Sequence, residues 1–259
     1  MRKGRSSMTV DVEHPVGAIT DEQRLFYETN GYLVLRDVLQ SPEIAALREA
    51  ADRAESEWRS DPSRPGLRDA GIAQVANIIE YDDLFLTLLN HPAVVPVVRD
   101  LMGPDISLMS TDYYLMSGKS ESDRGWHRDV SYHGIFHPMS TMLIKVTFVL
   151  YDEDLNRAPT ALIPGSHKFL DDFKLPHVSN AEDMPGQMRM LLRAGEAWLF
   201  NARCYHAALP NRTDDPRRIL IYDFGHSWMK PRRDCNPSAR LQEMASTAIM
   251  QQLLHVHGA

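Results

Sequence analysis

The stretch Leu143-Ile144-Lys145-Val146-Thr147-Phe148-Val149-Leu150 decides the fold class, because it is a strand-length run of β-branched, aromatic and aliphatic residues. It is one of five β-rich runs between about residues 105 and 227, which clusters of Gly, Pro, Asn and Asp separate. The runs cover residues 106–115, 143–150, 160–163, 196–200 and 218–224. Strands do not alternate with helices in this region, as a parallel sheet would require. The sequence therefore predicts an antiparallel barrel or sandwich.

Helical patterns flank the β-rich region on both sides. Thr20-Asp21-Glu22-Gln23 is typical of a capping box and Asn30-Gly31 of a left-handed helix end, which predicts a short helix at 21–30. Ser41-Pro42 supplies a cap and an N1 proline for an amphipathic helix. The other predicted elements are a strand at 32–35, helices at about 79–90 and 92–102, and a covering helix at 239–254. The predicted fold class is thus mainly β, with N-terminal and C-terminal helices packed outside.

Composition and charge narrow the classes of function. The chain has 259 residues, with 28 Lys and Arg against 35 Asp and Glu, and a net charge of −7. A basic surface for nucleic acid or for an anionic membrane is therefore not expected. Cys204 and Cys235 are too few for a disulfide framework and no apolar run approaches about 18 residues, so a cytoplasmic location is expected. The expected partner is a small-molecule substrate, and a monomer or a homodimer is expected.

One of the eleven histidines lies in an arrangement that metal chemistry can use. The segment Gly125-Trp126-His127-Arg128-Asp129 holds the only His-x-Asp triplet in the chain, and a spacing of two in extended backbone points both side chains to one face. His206 follows the run at 196–200 and is the candidate third ligand. Two imidazoles and one carboxylate leave three positions open on an octahedral ion, as in non-haem Fe(II) oxygenases. In the alternative interpretation, Asp129 only orients His127.

An arginine after the third histidine is the candidate anion-binding residue. Arg217 lies 11 residues beyond His206 and opens a β-rich run, where a guanidinium can bind a dicarboxylic acid through two hydrogen bonds. Arg218 is the alternative candidate for this role, because successive side chains of a strand point to opposite faces. The loop after His206 prevents us from counting which of the two arginines shares its face. We favour Arg217. His167, in the turn Ile163-Pro164-Gly165-Ser166-His167, is expected to be structural.

The sequence resembles the phytanoyl-CoA dioxygenase-like branch of the Fe(II)- and 2-oxoglutarate-dependent oxygenases. Landmarks similar to those of the family occur in its order at residues 23–36, 126–129, 163–167, 195–218 and 228–231. The resemblance implies a double-stranded β-helix, which is a jelly-roll, cupin-like barrel. It also implies a single dioxygenase domain at 19–259, with the β-helix core at about 105–227. Residues 1–18 mix charged residues, Pro and Gly without periodicity, which predicts a flexible N-terminal tail.

The same resemblance implies the site residues and the cofactors. Iron is expected on His127, Asp129 and His206, and the distal carboxylate of 2-oxoglutarate on Arg217, with help from the Thr160 hydroxyl. The implied cofactors are Fe(II), 2-oxoglutarate and O₂, with ascorbate as the reductant in vitro. The implied reaction oxidises an unactivated C–H bond of a small organic molecule, by hydroxylation, desaturation or cyclisation, and releases succinate and CO₂. Secondary metabolism is the expected setting.

Some positions depart from the family pattern or leave alternatives open. Arg124 stands where many relatives have a cosubstrate-contacting glutamine, and Arg157-Ala158 replaces the usual Asn-Gly. Lys145 is either an outward-facing charge or an anchor for an anionic group. The presence of Asp129 argues against a halogenase, in which a small residue replaces this carboxylate. The alternatives to an oxygenase are another metal-dependent cupin-like enzyme and a non-catalytic family member that binds a small molecule.

Overall fold

Two antiparallel sheets organise the chain in a computed structural model, which describes residues 19–69, 71–120, 125–130, 141–231 and 236–256. The strands of these segments are β1 Tyr32–Leu35, β2 Gly66–Arg68, β3 Ile72–Ala76, β4 Ile106–Met116, β5 Leu143–Phe148, β6 Thr160–Leu162, β7 Met188–Arg189, β8 Ala197–Asn201, β9 His206–Ala208 and β10 Arg217–His226. The α-helices are α1 Asp21–Asn30, α2 Ser41–Ser60, α3 Val95–Met102, α4 Ala239–Glu243 and α5 Ala248–Leu253.

The large sheet has seven strands in the order β1-β8-β5-β10-β4-β3-β2, and the small sheet has three in the order β7-β6-β9. Each recorded strand pair is antiparallel. The mainly antiparallel fold with flanking helices is therefore confirmed. The five predicted β-rich runs all form strands, and their ends lie within two residues of the predicted ones.

Strand β10 is buried on both faces, and this determines which of its side chains point into the site. Its odd-numbered residues from 217 to 221 line a cavity. Its even-numbered residues from 220 to 224 belong to the hydrophobic core, together with Leu47 and Ala51 of α2. Full burial of such large apolar side chains contributes about 1.5–3 kcal/mol each, so the helical layer fixes which face of β10 turns to the cavity.

Helix α1 forms where the sequence predicts it. The Thr20 hydroxyl accepts a hydrogen bond from the Gln23 amide at 3.2 Å, and the Gln23 side chain accepts one from the Thr20 amide at 2.8 Å. Gly31 ends the helix at a φ of +81°. The predicted strand at 32–35 follows immediately as β1. This part of the prediction is confirmed.

The predicted cap of α2 is wrong by one residue. The helix begins at Ser41, one residue earlier than predicted, and the capping residue is Gln40. The Glu43 carboxylate accepts a hydrogen bond from the Gln40 amide at 2.8 Å. A glutamate three residues after the cap satisfies an amide that the helix leaves unpaired, and that reciprocal contact places the cap at Gln40.

The helical segment predicted at 79–90 is wrong in type. It consists of two 3-10 helices, Ile78–Glu80 and Asp83–Asn90. The Asp82 carboxylate accepts a hydrogen bond from the Leu84 amide at 3.0 Å and starts a new helix there. The helix predicted at 92–102 begins only at Val95, because Pro96 rather than Pro92 occupies its first turn. It ends before Gly103, as predicted.

The C-terminal covering helix predicted at 239–254 is also wrong as a single element. It is divided into α4 and α5. The Thr247 hydroxyl accepts a hydrogen bond from the Met250 amide at 3.3 Å and caps a second helix there. Threonine competes with the helical backbone for hydrogen bonds, and so favours a helix start over a helix interior.

Strands β2, β3, β7 and β9 were not predicted. Each has at most five residues, which is too short for a clear alternation of polar and apolar residues. The tail at 1–18 lies outside the described residues. Among the described helices, none alone has the length and hydropathy to cross a membrane; the 3-10 helix at 83–90 and α3, bent by 48°, reach that length and composition together.

Candidate active site

Backbone hydrogen bonds bring the two histidines of the site together. The amide of His127 donates to the carbonyl of His206 at 3.0 Å, and the amide of His206 donates to the carbonyl of His127 at 3.0 Å. The amide of Asp129 donates to the carbonyl of Ala202 at 3.0 Å. The segment around His127 therefore runs antiparallel to the start of β9. This pairing brings the ring centroids of His127 and His206 within 4.3 Å of each other.

The three candidate ligands lie close together in the structure. One ligand atom from each of His127, Asp129 and His206 lies within 4.8 Å of the others. The Asp129 carboxylate is 3.2 Å from Nε2 of His206 and 3.8 Å from Nε2 of His127. Two nitrogens and one carboxylate oxygen at these distances can hold a divalent transition metal on one face.

Each histidine is oriented by a backbone carbonyl, a contact that the sequence did not identify. Nδ1 of His127 is 2.8 Å from the carbonyl oxygen of Gly125, and Nδ1 of His206 is 3.0 Å from that of Cys204. Because a carbonyl only accepts, these contacts place the proton on Nδ1 and leave the Nε2 lone pair for a metal. Burial lowers the pKa of His127 and the neighbouring His206 lowers it further, which favours the neutral ring that a metal requires.

Lys145 lies in the site, so the alternative of an outward-facing charge is wrong. Its side chain on β5 is 8% exposed, and Nζ is 3.0 Å from Oδ2 of Asp129. Burial acts to raise the pKa of Asp129, but the Lys145 ammonium holds it well below its usual range. The carboxylate is therefore ionised and ready to bind a cation.

Arg217, rather than Arg218, lies on the cavity side of β10. Its Nη2 donates a hydrogen bond to the Thr160 hydroxyl at 2.7 Å, and both residues line the cavity with the three candidate ligands. The guanidinium of Arg218 lies 5.8 Å from the ring centroid of Tyr151 and is not part of the cavity lining. Large apolar side chains also line the cavity, among them Tyr114, Met116, Trp198, Phe200, Ile219 and Ile221.

Glu153 is a site residue that sequence reasoning missed. Its Oε1 accepts a hydrogen bond from Nη2 of Arg217 at 2.7 Å, and the two side chains are 5% and 4% exposed. The residue lies within Asp152-Glu153-Asp154, where nothing in the pattern separates it from its acidic neighbours. Only the neighbouring β10 side chain, more than 60 residues away in sequence, distinguishes it.

The remaining predicted positions are distributed as follows. His167 is buried and outside the ligand group, in keeping with a structural role, and its carbonyl accepts from Nε of Arg203 at 3.1 Å. Arg124 lies outside the described residues, as does the segment 131–137 after the first ligands.

Fold and site together define a mainly antiparallel β protein in which a His-x-Asp motif, a distant His and an arginine line one cavity. The chain belongs to the phytanoyl-CoA dioxygenase family, whose model matches residues 27–219. The "Probable phytanoyl-CoA dioxygenase" of Caenorhabditis elegans is 25% identical over 246 residues, which cover 82% of this chain and 77% of that protein.

Solved structures share the same jelly-roll fold. The epimerase SnoN from nogalamycin biosynthesis, in complex with Fe³⁺, α-ketoglutarate and nogalamycin RO, superposes with a TM-score of 0.65 at 20% identity over 85% of this chain and 90% of its own. HygX from Streptomyces hygroscopicus, with nickel, 2-oxoglutarate and hygromycin B bound, gives 0.67 at 17% identity over 86% and 94%. The predicted double-stranded β-helix is confirmed by this likeness of fold.

Proposed function

We propose that this protein is a non-haem Fe(II)- and 2-oxoglutarate-dependent oxygenase that oxidises a C–H bond of a small organic molecule and releases succinate and CO₂. One observation carries the proposal: the His127, Asp129 and His206 group and the Arg217–Thr160 pair line the same cavity. A metal centre and an anion site in one apolar cavity are what a chelating dicarboxylic cosubstrate needs. Family membership supports the same conclusion.

The residues present fit Fe(II). Nε2 of both histidines is left free for a metal by the contacts at Nδ1, and Asp129 is held ionised beside them. Neutral imidazole nitrogens and one hard carboxylate oxygen suit ferrous iron, and three ligands leave three positions for cosubstrate and O₂. In the proposed role, His127, Asp129 and His206 hold the iron.

The residues also fit the distal carboxylate of 2-oxoglutarate. Nε of Arg217 is buried and has no hydrogen-bond partner among the described residues. Because the Thr160 hydroxyl accepts from Arg217, its own proton remains available to donate to a carboxylate. A buried donor without a partner costs about 1–3 kcal/mol, which a bound carboxylate recovers. Arg217 and Thr160 therefore orient the cosubstrate in the proposed mechanism.

The chain's contribution to the reaction is positioning and exclusion of water. When bound, Fe(II) and 2-oxoglutarate supply the O₂-activating chemistry, and the protein supplies ligands, orientation and a dry cavity. Trp198 and Phe200 stack at a centroid distance of 4.6 Å on the wall beside His206 and keep the site apolar. With the metal-binding carboxylate in place at Asp129, we propose hydroxylation, desaturation or cyclisation rather than halogenation.

Anaerobic titration with Fe(II) and 2-oxoglutarate tests the proposal. The native protein is expected to develop the weak visible charge-transfer band of a chelated oxoacid. His127→Ala is expected to abolish the band and Arg217→Ala to weaken cosubstrate binding at least about tenfold, since a charged hydrogen bond contributes about 1.5–3 kcal/mol. Arg218→Ala is the matched control and should leave the band unchanged. No band in the native protein at saturating iron and cosubstrate would overturn the proposal.

A further inference from the structure

The guanidinium of Arg217 already has an internal counterion. Glu153 binds Nη2 of Arg217 at 2.7 Å, and both side chains are almost fully removed from solvent. Oε2 of Glu153 is buried and has no hydrogen-bond partner among the described residues. Of the two, only Arg217 lines the cavity, so the carboxylate approaches the guanidinium from within the protein.

We propose that Glu153 is a specificity-determining residue for the cosubstrate, because it competes with the incoming distal carboxylate for Arg217 and thereby limits its affinity. This inference rests on the proposed function and deepens it. In this role, Glu153 sets how tightly a dianionic 2-oxoacid binds. It thereby also sets how strongly the site prefers a dianionic 2-oxoacid to a monoanionic one.

The hydrogen bonds of Arg217 support this assignment. A guanidinium has two pairs of parallel N–H groups, Nη1 with Nη2 and Nε with Nη2, and each pair uses one of the two Nη2 protons. Here Nη2 donates to Glu153 and to Thr160, each at 2.7 Å. Both two-point arrangements are therefore partly occupied by the protein. An incoming carboxylate receives single hydrogen bonds from Nε or Nη1 and from the Thr160 hydroxyl.

The charges act in the same direction. Arg217 and Glu153 form a neutral pair, so a bound distal carboxylate places a second negative charge beside one cation in a region of low dielectric. Water does not screen the repulsion, because the Glu153 side chain is 5% exposed. Burial raises the pKa of Glu153, although Arg217 opposes that rise, so the region is already unfavourable for one buried carboxylate.

Glu153→Gln is the decisive variant, because glutamine keeps the shape of the side chain and one acceptor oxygen, and replaces the charged carboxylate by a neutral amide. Asp152→Asn is the matched control: the neighbouring carboxylate is exposed and accepts a hydrogen bond from the Ala194 amide, away from Arg217. Affinity for 2-oxoglutarate is measured on the Fe(II)-loaded protein under anaerobic conditions from the charge-transfer band. Glu153→Gln is expected to bind 2-oxoglutarate about tenfold more tightly than the native protein, and Asp152→Asn equally tightly.

A second measurement uses a ratio taken within one protein, so it does not depend on the fraction of the variant that folds. In the native protein and in Glu153→Gln, 2-oxoglutarate is compared with 2-oxopentanoate, which lacks the distal carboxylate. The preference for 2-oxoglutarate is expected to be about tenfold greater in Glu153→Gln than in the native protein, and an equal or smaller preference overturns the inference. Unchanged or weaker 2-oxoglutarate binding by folded Glu153→Gln overturns it as well. Failure of the native protein to bind Fe(II) and either oxoacid would instead overturn the proposed function, so the two failures are distinguishable.

Discussion

Lys145 and Asp129 form a buried ion pair of 3.0 Å within the candidate metal site, with side chains 8% and 11% exposed. The ammonium neutralises the carboxylate that a metal would use. A divalent ion that binds Asp129 therefore shares it with a neighbouring positive charge, which opposes binding.

Replacement of this lysine is expected to separate the stability of the metal-free protein from metal affinity. Lys145→Met leaves the Asp129 charge buried without its partner, so the metal-free protein should lose about 3 kcal/mol of unfolding free energy. A redox-inert divalent ion such as Ni²⁺ should raise the melting temperature of the variant more than that of the native protein. Calorimetry with and without the ion measures both quantities. Lys119→Met, at a lysine whose side chain is 63% exposed, is the control and should change neither.

Thr160→Val is expected to weaken 2-oxoglutarate binding while the candidate metal ligands remain unchanged. Valine preserves the shape of the side chain but removes both the acceptor for Nη2 of Arg217 and the hydroxyl donor. The KM for 2-oxoglutarate should rise about tenfold, in line with about 1.5 kcal/mol for a hydrogen bond to a charged group. Thr147→Val changes another threonine of the cavity wall and should leave this KM unaltered. Equal effects of the two substitutions would contradict the role of Thr160.

His167 is expected to make the protein less stable in acid. Burial lowers the pKa of its imidazole from about 6.5 to about 4, and the nearby Lys168 lowers it as well. Between these two values the unfolded chain binds more protons than the folded one, so stability falls as the pH decreases from about 6.5 towards about 4. The full loss is about 3 kcal/mol at about 1.4 kcal/mol per pKa unit. Urea unfolding across this pH range measures it. His167→Gln should give a flatter profile, and a profile as steep as the native one would exclude His167 as the cause.

Gly31 is expected to tolerate no larger residue. A Cβ atom there would lie 2.4 Å from Nδ1 of His167 and 2.5 Å from Sγ of Cys204. Gly186 has a similar φ of +78° but nothing within 4 Å of its Cβ position. Gly186→Ala should therefore lose only about 1–2 kcal/mol of unfolding free energy, which is the cost of a left-handed backbone for alanine. Gly31→Ala should lose clearly more, because its Cβ also clashes with neighbouring atoms. Urea unfolding of both variants isolates the steric part, and equal losses would contradict it.

The elements that were predictable from sequence are those with local signals. Helix α1 has its own capping box, and the His-x-Asp spacing of His127 and Asp129 specifies a shared face whatever the surrounding fold. The division of the 239–254 region depends on the Thr247 hydroxyl, a weaker signal that the apolar periodicity obscures.

Other features depend on contacts between distant parts of the chain. The sequence leaves two orientations open for Lys145, because a single strand does not reveal which of its faces meets the candidate metal ligands. Glu153 was missed because its partner Arg217 lies on another strand. Local sequence carries propensity and spacing, whereas the pairing of strands decides which side chains share a cavity.

The paired backbone bonds between His127 and His206 have an evolutionary consequence. Both bonds use main-chain atoms alone, so substitution of either side chain leaves the link between the two segments in place. A descendant of this chain can therefore exchange the side chain of His127 or His206 without losing the backbone pairing between the two segments. The side chains that define the candidate metal site can therefore change in evolution independently of the backbone pairing that positions them.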